Sequence, residues 1–396
     1  MRHDAGIGFG TAAGSPDDFV ITSVEMRPFT YPTSRMADAE GHGHPGPARQ
    51  ATNVVLRIAP RGGAEGYAFD VNPATVTVVR GLLVGRGAFE REAIWRDLRR
   101  LQRLYRRNLM DEDVATVDRA LWDLMGRSLG LPVHQLLGSF CDRVPAYAST
   151  MCGDDLPDGL GTPQAYAEFA AHCQAVGYRA LKLHTWMPPY GADVQRDIEA
   201  CRAVRERVGP DMPLMLDPHH DYSREEALYL GRALEELDFH WLEEPMNEQS
   251  PSSYIWLSDQ LDLSIVGPES VEGMMLARAE WIVQGASDIS RIGVWRAGIT
   301  GAMKTVHLCE SFGVRLEMHG GGAGTLQVLG AMGIPGEYYE RGLLHPAVSY
   351  DDTTPWLLRQ IDPLTDDGQI LIPTGPGLGE EIDWAYIEAN ATAGWS

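Results

Sequence analysis

The chain is short of positive charge. Among its 396 residues, 33 are lysine or arginine and 55 are aspartate or glutamate, a formal net charge of −22. Such a balance opposes binding to nucleic acid or to an anionic membrane. If the substrate is itself an anion, the site has to supply its own positive charge, from a metal ion and from lysine. Cysteine is scarce too. Cys141, Cys152, Cys173, Cys201 and Cys309 are odd in number and scattered over predicted helix faces or beside predicted strands. That excludes a disulfide frame or a cysteine zinc site and suits buried thiols in a reducing cytoplasm. No uninterrupted apolar run reaches membrane-spanning length. Residues 1–18 lack the basic and apolar regions of a signal peptide and, bearing Gly and Asp, read as a flexible start. The 44% hydrophobic content still allows a large core, enough for a barrel of over 200 residues with one smaller companion.

The most informative stretch is a set of three carboxylates. Asp217, Glu243 and Glu269 each close a short apolar run, 212–216, 239–242 and 263–266, and stand 26 residues apart in both intervals. One β-strand, one helix and their loops fill such an interval. In a barrel of parallel strands the active groups gather at the C-terminal strand ends, so three consecutive units bring these carboxylates around one point. Three hard oxygen ligands without a sulfur partner suit Mg²⁺ with positions open for substrate.

The rest of the chain supports that frame. Residues 20–26 and 53–59 read as an antiparallel pair of strands. Between them, residues 31–50, rich in Gly, Pro and His, read as a long lid or binding loop, with Arg35, His42 and His44 as candidate substrate contacts. Helical spacing follows over 89–104 and 114–129, where Val117, Ala120, Leu121 and Leu124 form one apolar stripe. From Val144 onward strands and helices alternate, with Thr162-Pro163 and the Ser223/Glu226 capping box as helix starts. Eight strand candidates between Val144 and Glu340 favour a closed α/β barrel over an open sheet. After Pro355 the regularity lapses. Asp366-Asp367-Gly368 and the residues after it read as a turn and a strand returning to the first domain.

Numbered from Val144, the second strand carries Lys182 and His184, the sixth Asp288, the seventh His319 and the eighth Glu340. The second strand therefore flanks the metal ligands on one side, and the sixth and seventh flank them on the other. That arrangement suits removal of a proton from the carbon beside a carboxylate, with a Lys or His as base and Mg²⁺ stabilising the enediolate. A lysine beside a divalent cation is expected to have a lowered pKa, and Asp288 is expected to orient the His319 ring. Trp186, Tyr190 and Tyr222 are candidate pocket wall.

These residues also carry a family resemblance. With Asp118-Arg-Ala-Leu-Trp-Asp-Leu-Met-Gly, Pro132-Val-His-Gln-Leu-Leu-Gly, Ser287-Asp288-Ile-Ser-Arg-Ile-Gly, Glu317-Met-His319 and Tyr339-Glu340-Arg341, the chain resembles the enolase superfamily in its mandelate racemase subgroup. The likeness runs from about residue 18 to the C-terminus. It implies a (β/α)7β TIM-like barrel over 144–355, an α+β capping domain from 19–143 joined by the segment 356–396, bound Mg²⁺, and abstraction of the proton α to a carboxylate. Two departures bear on substrate. The subgroup's usual second-strand Lys-x-Lys, whose second lysine is the base, is here Lys182-x-His184, so either residue is a candidate base, and Val294–Ala297 is expected to lengthen the sixth strand's loop. Asp217-x-His219 is similar to the pattern of galactonate- and mannonate-type dehydratases, which makes His219 a further acid/base candidate. The resulting expectation is a Mg²⁺-dependent dehydratase of sugar acids in the cytoplasm, acting as an assembly of identical subunits. A racemase, epimerase or cycloisomerase is the alternative chemistry, and a non-catalytic scaffold the alternative class.

Overall fold

The computed structural model describes residues 16–38, 41–104, 109–187, 190–333, 338–352 and 354–396. Most of the stretch read as a flexible start, 1–15, lies outside the described residues. Pro16–Phe19 forms a 3-10 turn, and the Asp18 carbonyl accepts a hydrogen bond from Gly62 N at 2.7 Å.

The N-terminal part is an antiparallel sheet of β1 (Ile21–Ala37), β2 (Gly43–Pro60) and β3 (Gly66–Ala68), followed by α1 (Pro73–Leu83), α2 (Arg91–Gln102), α3 (Asp111–Leu129) and α4 (Val133–Leu137). The region expected as a long loop is instead a two-stranded ribbon. Tyr31 pairs with Ala51, Thr33 with Arg49 and Arg35 with Pro45. Prolines are tolerated there because a ribbon has open outer edges, where a missing N–H costs no ladder bond. The ribbon carries its tip, with His42 and Gly43, over the mouth of the second domain.

That domain alternates strand and helix: β4 (Arg143–Thr150), α5 (Pro163–Val176), β5 (Ala180–His184), α6 (Val194–Val208), β6 (Leu214–Asp217), α7 (Arg224–Glu236), β7 (Trp241–Glu243), α8 (Pro251–Ser258), β8 (Ser264–Val266), α9 (Met275–Gln284), β9 (Ile289–Gly293), α10 (Val294–Phe312), β10 (Arg315–His319), α11 (Ala323–Leu329) and β11 (Tyr339–Leu344). The strands are parallel, in the order β10-β9-β8-β7-β6-β5-β4-β11. Among the described residues no ladder joins β10 to β11. Side chains span that gap: Gly320 N donates to Glu340 Oε2 at 2.7 Å and Gly322 N to the Tyr339 hydroxyl at 2.8 Å. The result is a nearly closed eight-stranded barrel. Its floor is a buried cluster of inward side chains that includes Tyr147, Met215, Trp241, Val266 and Ile289.

The helix starts read from sequence are formed. Thr162 Oγ1 accepts from Ala165 N at 3.1 Å, and Ser223 and Glu226 make the reciprocal capping box. Two expectations fail. Val294–Ala297 adds no loop, because β9 passes directly into α10, which kinks at Gly298 with φ 66°. A Cβ there would lie 2.6 Å from Asp118 Oδ2, and that carboxylate caps the restarted helix by accepting from Thr300 N at 2.8 Å. The strand after Gly368, β12 (Gln369–Leu371), does not return to the first domain. It pairs antiparallel with the N-terminal end of β4, below the part of that edge taken by β11. The chain reaches the first domain on either side of β12, at Trp356, whose ring is 5.5 Å from that of Phe29, and at Gly377, whose N donates to Leu131 O at 3.0 Å. After α12 (Trp384–Ala389), Thr30 N donates to Asn390 O at 3.0 Å and Met26 N to Ser396 O at 3.1 Å.

Candidate active site

Asp217, Glu243, His184, Gly293 and His319 are the last residues of β6, β7, β5, β9 and β10. Glu269 follows β8 by three residues, across Gly267 and Pro268. Strand alternation points Lys182 inward two residues below His184, and Arg291 inward two residues below Gly293. All stand at the C-terminal end of the barrel, where a cleft of about 890 Å³ opens between the ribbon tip and the strand ends.

Two buried cations bind four carboxylates beneath this cleft. Lys182 Nζ lies 2.9 Å from Glu243 Oε2, 3.0 Å from Asp217 Oδ2 and 3.1 Å from Glu340 Oε1. Arg291 donates from Nη2 to Glu340 at 2.9 Å, from Nε to Glu269 at 3.3 Å and to Glu243, and from Nη1 to the Tyr147 hydroxyl at 3.3 Å. Ser149 Oγ adds a hydrogen bond to Glu340 Oε1 at 2.8 Å. On the rim the two imidazoles each meet a carboxylate. His184 Nε2 is 3.0 Å from Asp217 Oδ2, and His319 Nδ1 is 2.6 Å from Glu269 Oε2. His219 and His220 line the same cleft, with rings stacked 5.8 Å apart.

Burial opposes the charge on Lys182, but Glu243, Glu340, Tyr147 and Asp217 together hold it well above the ordinary lysine value. Burial pushes Glu243 well above the carboxylate range, and repulsion from Asp217 and Glu269 adds to this against the pull of Arg291 and Lys182. The cluster therefore holds more negative charge than its two cations offset. That surplus and the all-oxygen donor set suit a hard divalent cation. Among the described residues, however, no three such side chains converge on one point, since Lys182 and Arg291 stand among the carboxylates.

Asp288 has to be corrected. It precedes β9, is exposed, and accepts from Ile265 N at 2.8 Å, at the N-terminal end of the barrel. His319 is in register with Gly293, five residues further on and roughly 16 Å away at the rise of an extended strand. Gly293 has no side chain, so the carboxylate facing the His319 ring comes from Glu269. Of the loop candidates, only His42 lines the cleft, its ring 5.1 Å from that of His220. His44 shares Asp38 with it, at 3.0 Å. Arg35 turns away and donates to the Leu343 carbonyl at 2.8 Å. Trp186 is buried under the Arg196 guanidinium, Tyr222 donates to Asp197 at 2.8 Å, and Tyr190 hydrogen-bonds Asp155. These three pack around the cleft without lining it. Arg291 was missed as a site residue because arginine usually lies outside, yet its two-residue spacing from Ile289 and Gly293 marks it as inward. Lys182 carried a further signal, since the chain has only one other lysine, Lys304.

The family model for the mandelate racemase/muconate lactonizing enzyme N-terminal domain matches residues 46–138, and that for the enolase C-terminal domain-like fold matches 165–386. The chain belongs to the enolase superfamily, in its mandelate racemase/muconate lactonizing enzyme family. This family member is 29% identical over 323 residues to D-galactarolactone cycloisomerase of Agrobacterium fabrum, covering 79% of this chain and 82% of that one. It is 26% identical to L-talarate/galactarate dehydratase of Salmonella typhimurium, covering 78% of each. Among solved structures, D-glucarate dehydratase from Agrobacterium tumefaciens, complexed with magnesium, matches at a TM-score of 0.92 and 49% identity, covering 95% of this chain and 100% of that one. The relatives thus include both acid-sugar dehydratases and a cycloisomerase.

Proposed function

We propose that this enzyme dehydrates sugar acids, aldonates or aldarates, using Mg²⁺ held by Asp217, Glu243 and Glu269. When bound, the ion supplies neutralisation of the charge that grows on the substrate carboxylate as its α-proton leaves, a contribution of several kcal/mol. The chain's own groups move the protons. Lys182, His184 and His219 share one side of the mouth, and one of them takes the proton from C2, Lys182 only where a bound cation offsets the carboxylates that hold it charged. The electron pair of the broken C–H bond becomes the C2–C3 double bond, and the 3-hydroxyl leaves as water after accepting a proton. Hydroxide is a poor leaving group, so an acid has to stand near it. His319, placed on the other side by Glu269, fills that role, and the remaining enol tautomerises to a 2-keto-3-deoxy acid. Glu340 holds Lys182 and Arg291 in place beneath. Asp288 has no part in this scheme.

The observation that carries the reading is the pair of imidazole–carboxylate contacts on opposite sides of one cleft, His184 on Asp217 and His319 on Glu269. The kinship with sugar-acid dehydratases supports it. The test is a panel of aldonates and aldarates followed by semicarbazide detection of 2-keto acid and by polarimetry on the same samples. Keto product is the expected outcome. Optical change without keto product on every substrate that turns over would replace this reading with racemisation, epimerisation or cycloisomerisation.

A further inference from the structure

The segment Trp295-Arg296 at the start of α10 remains unexplained by this chemistry, and it forms one rim of the cleft. Six carboxylates and five imidazoles line that cleft, and Arg296 is the one arginine or lysine among its described lining residues. Its guanidinium is held from three directions. Nε donates to Glu112 Oε1 of α3 at 3.0 Å, Nη1 donates to the Ser270 carbonyl at 2.9 Å, and the planar group lies 4.6 Å from the Trp295 ring centroid. Nη2 is not used by these contacts. The Ser270 bond places the group one residue beyond Glu269, and Trp295 also stands 5.7 Å from the His319 ring.

We infer that Arg296 is the specificity determinant of this enzyme and selects dicarboxylates: its unused Nη2 receives the distal carboxylate of an aldarate. The inference rests on the sugar-acid reading above and narrows it. A monocarboxylic sugar acid brings its charge only to the reacting end, over the buried cations. A diacid brings a second charge into a cleft whose lining carboxylates repel it, and Arg296 is the one arginine or lysine among the described lining residues to meet it. A guanidinium already fixed by an ion pair, a carbonyl and an aromatic face loses little freedom on binding, and its Nη2 donates a charge-assisted hydrogen bond to a carboxylate. A terminal hydroxymethyl group gains no charge-assisted bond.

The experiment compares D-glucarate with D-gluconate, and galactarate with galactonate, on the Mg²⁺-loaded wild type, R296M and R296K. Binding is read by calorimetry. Turnover is read both as keto acid and as α-hydrogen exchange in D₂O. In the wild type the aldarate of each pair should be preferred. In R296M the aldarate should lose roughly 10- to 100-fold in affinity and in kcat/KM, carried by KM, as expected for removing a charged hydrogen-bond partner. The aldonate should lose far less, so that the ratio collapses, and R296K should fall between. Equal losses on both members of a pair, an unchanged ratio, or a wild type that prefers aldonates would overturn the assignment. Should R296M fail to fold, an unchanged ratio in R296K alone would do so. Exchange without keto product would remove the dehydratase reading and leave the Arg296 outcome readable from binding and exchange.

Discussion

At the scale of single residues, the site is a charge problem solved by Lys182 and Arg291, both without exposure to solvent. Each takes part in several ion pairs, so removing either leaves carboxylates buried without a partner. Arg291→Met should therefore destabilise the protein by roughly 3–5 kcal/mol, read as a lower urea midpoint at unchanged slope. A loss under about 1 kcal/mol would mean that Glu243 and Glu340 are compensated by other groups. The carboxylates were legible in the sequence because three acids ending apolar runs at equal intervals reflect repeated strand–helix units that all open toward one face. Arg291 was not, since its type argues for the surface and only its phase within a five-residue strand argues otherwise. Asp288 shows the converse failure. An acid beside a short apolar run does not say which end of the strand it marks, and this one stands before the run while Asp217 and Glu243 end theirs.

At the scale of elements, the barrel was readable because parallel strands covered on both faces are continuous apolar runs separated by amphipathic helices. The ribbon of β1 and β2 was not, because Gly and Pro signal loops wherever a ladder does not hold them. The partner of β12 was equally hidden, since it depends on which strand edge the barrel leaves open. Helix seating also fixes a pH response. Tyr222, after β6, donates to Asp197 in α6, and burial raises that carboxyl to about 7 against the pull of Tyr222 and Thr185. With the folded value above the unfolded one, the folded state binds the extra proton. Its contribution is full below about pH 4 and is lost as pH rises through 7. Asp197→Asn keeps an acceptor for Tyr222 and removes the titration. Its stability relative to wild type should therefore rise by up to a few kcal/mol between pH 4 and 8, measured by denaturant titration at each pH. A difference that is flat with pH would show that Asp197 stays ionised in the fold.

At the scale of the whole molecule, a net charge of −22 means that any added salt should stabilise the fold by screening repulsion. A specific Mg²⁺ site has to be separated from that background. The proposed ligands belong to three consecutive strands, so an ion bound by them ties β6, β7 and β8 together only in the folded chain. Binding at about a hundred times the dissociation constant then adds about 2.7 kcal/mol of stability. After EDTA treatment, melting temperature should rise with Mg²⁺ by more than with KCl of matched ionic strength. Glu243→Gln should keep the KCl response, lose the Mg²⁺ excess and lose turnover, with the circular dichroism spectrum of the folded chain retained. Because the melting shift is read without substrate, it tests the ligand set independently of the reaction. Equal shifts from Mg²⁺ and matched KCl in the wild type would show that the three carboxylates, however well placed in the barrel, are neutralised by Lys182 and Arg291 rather than by a metal ion.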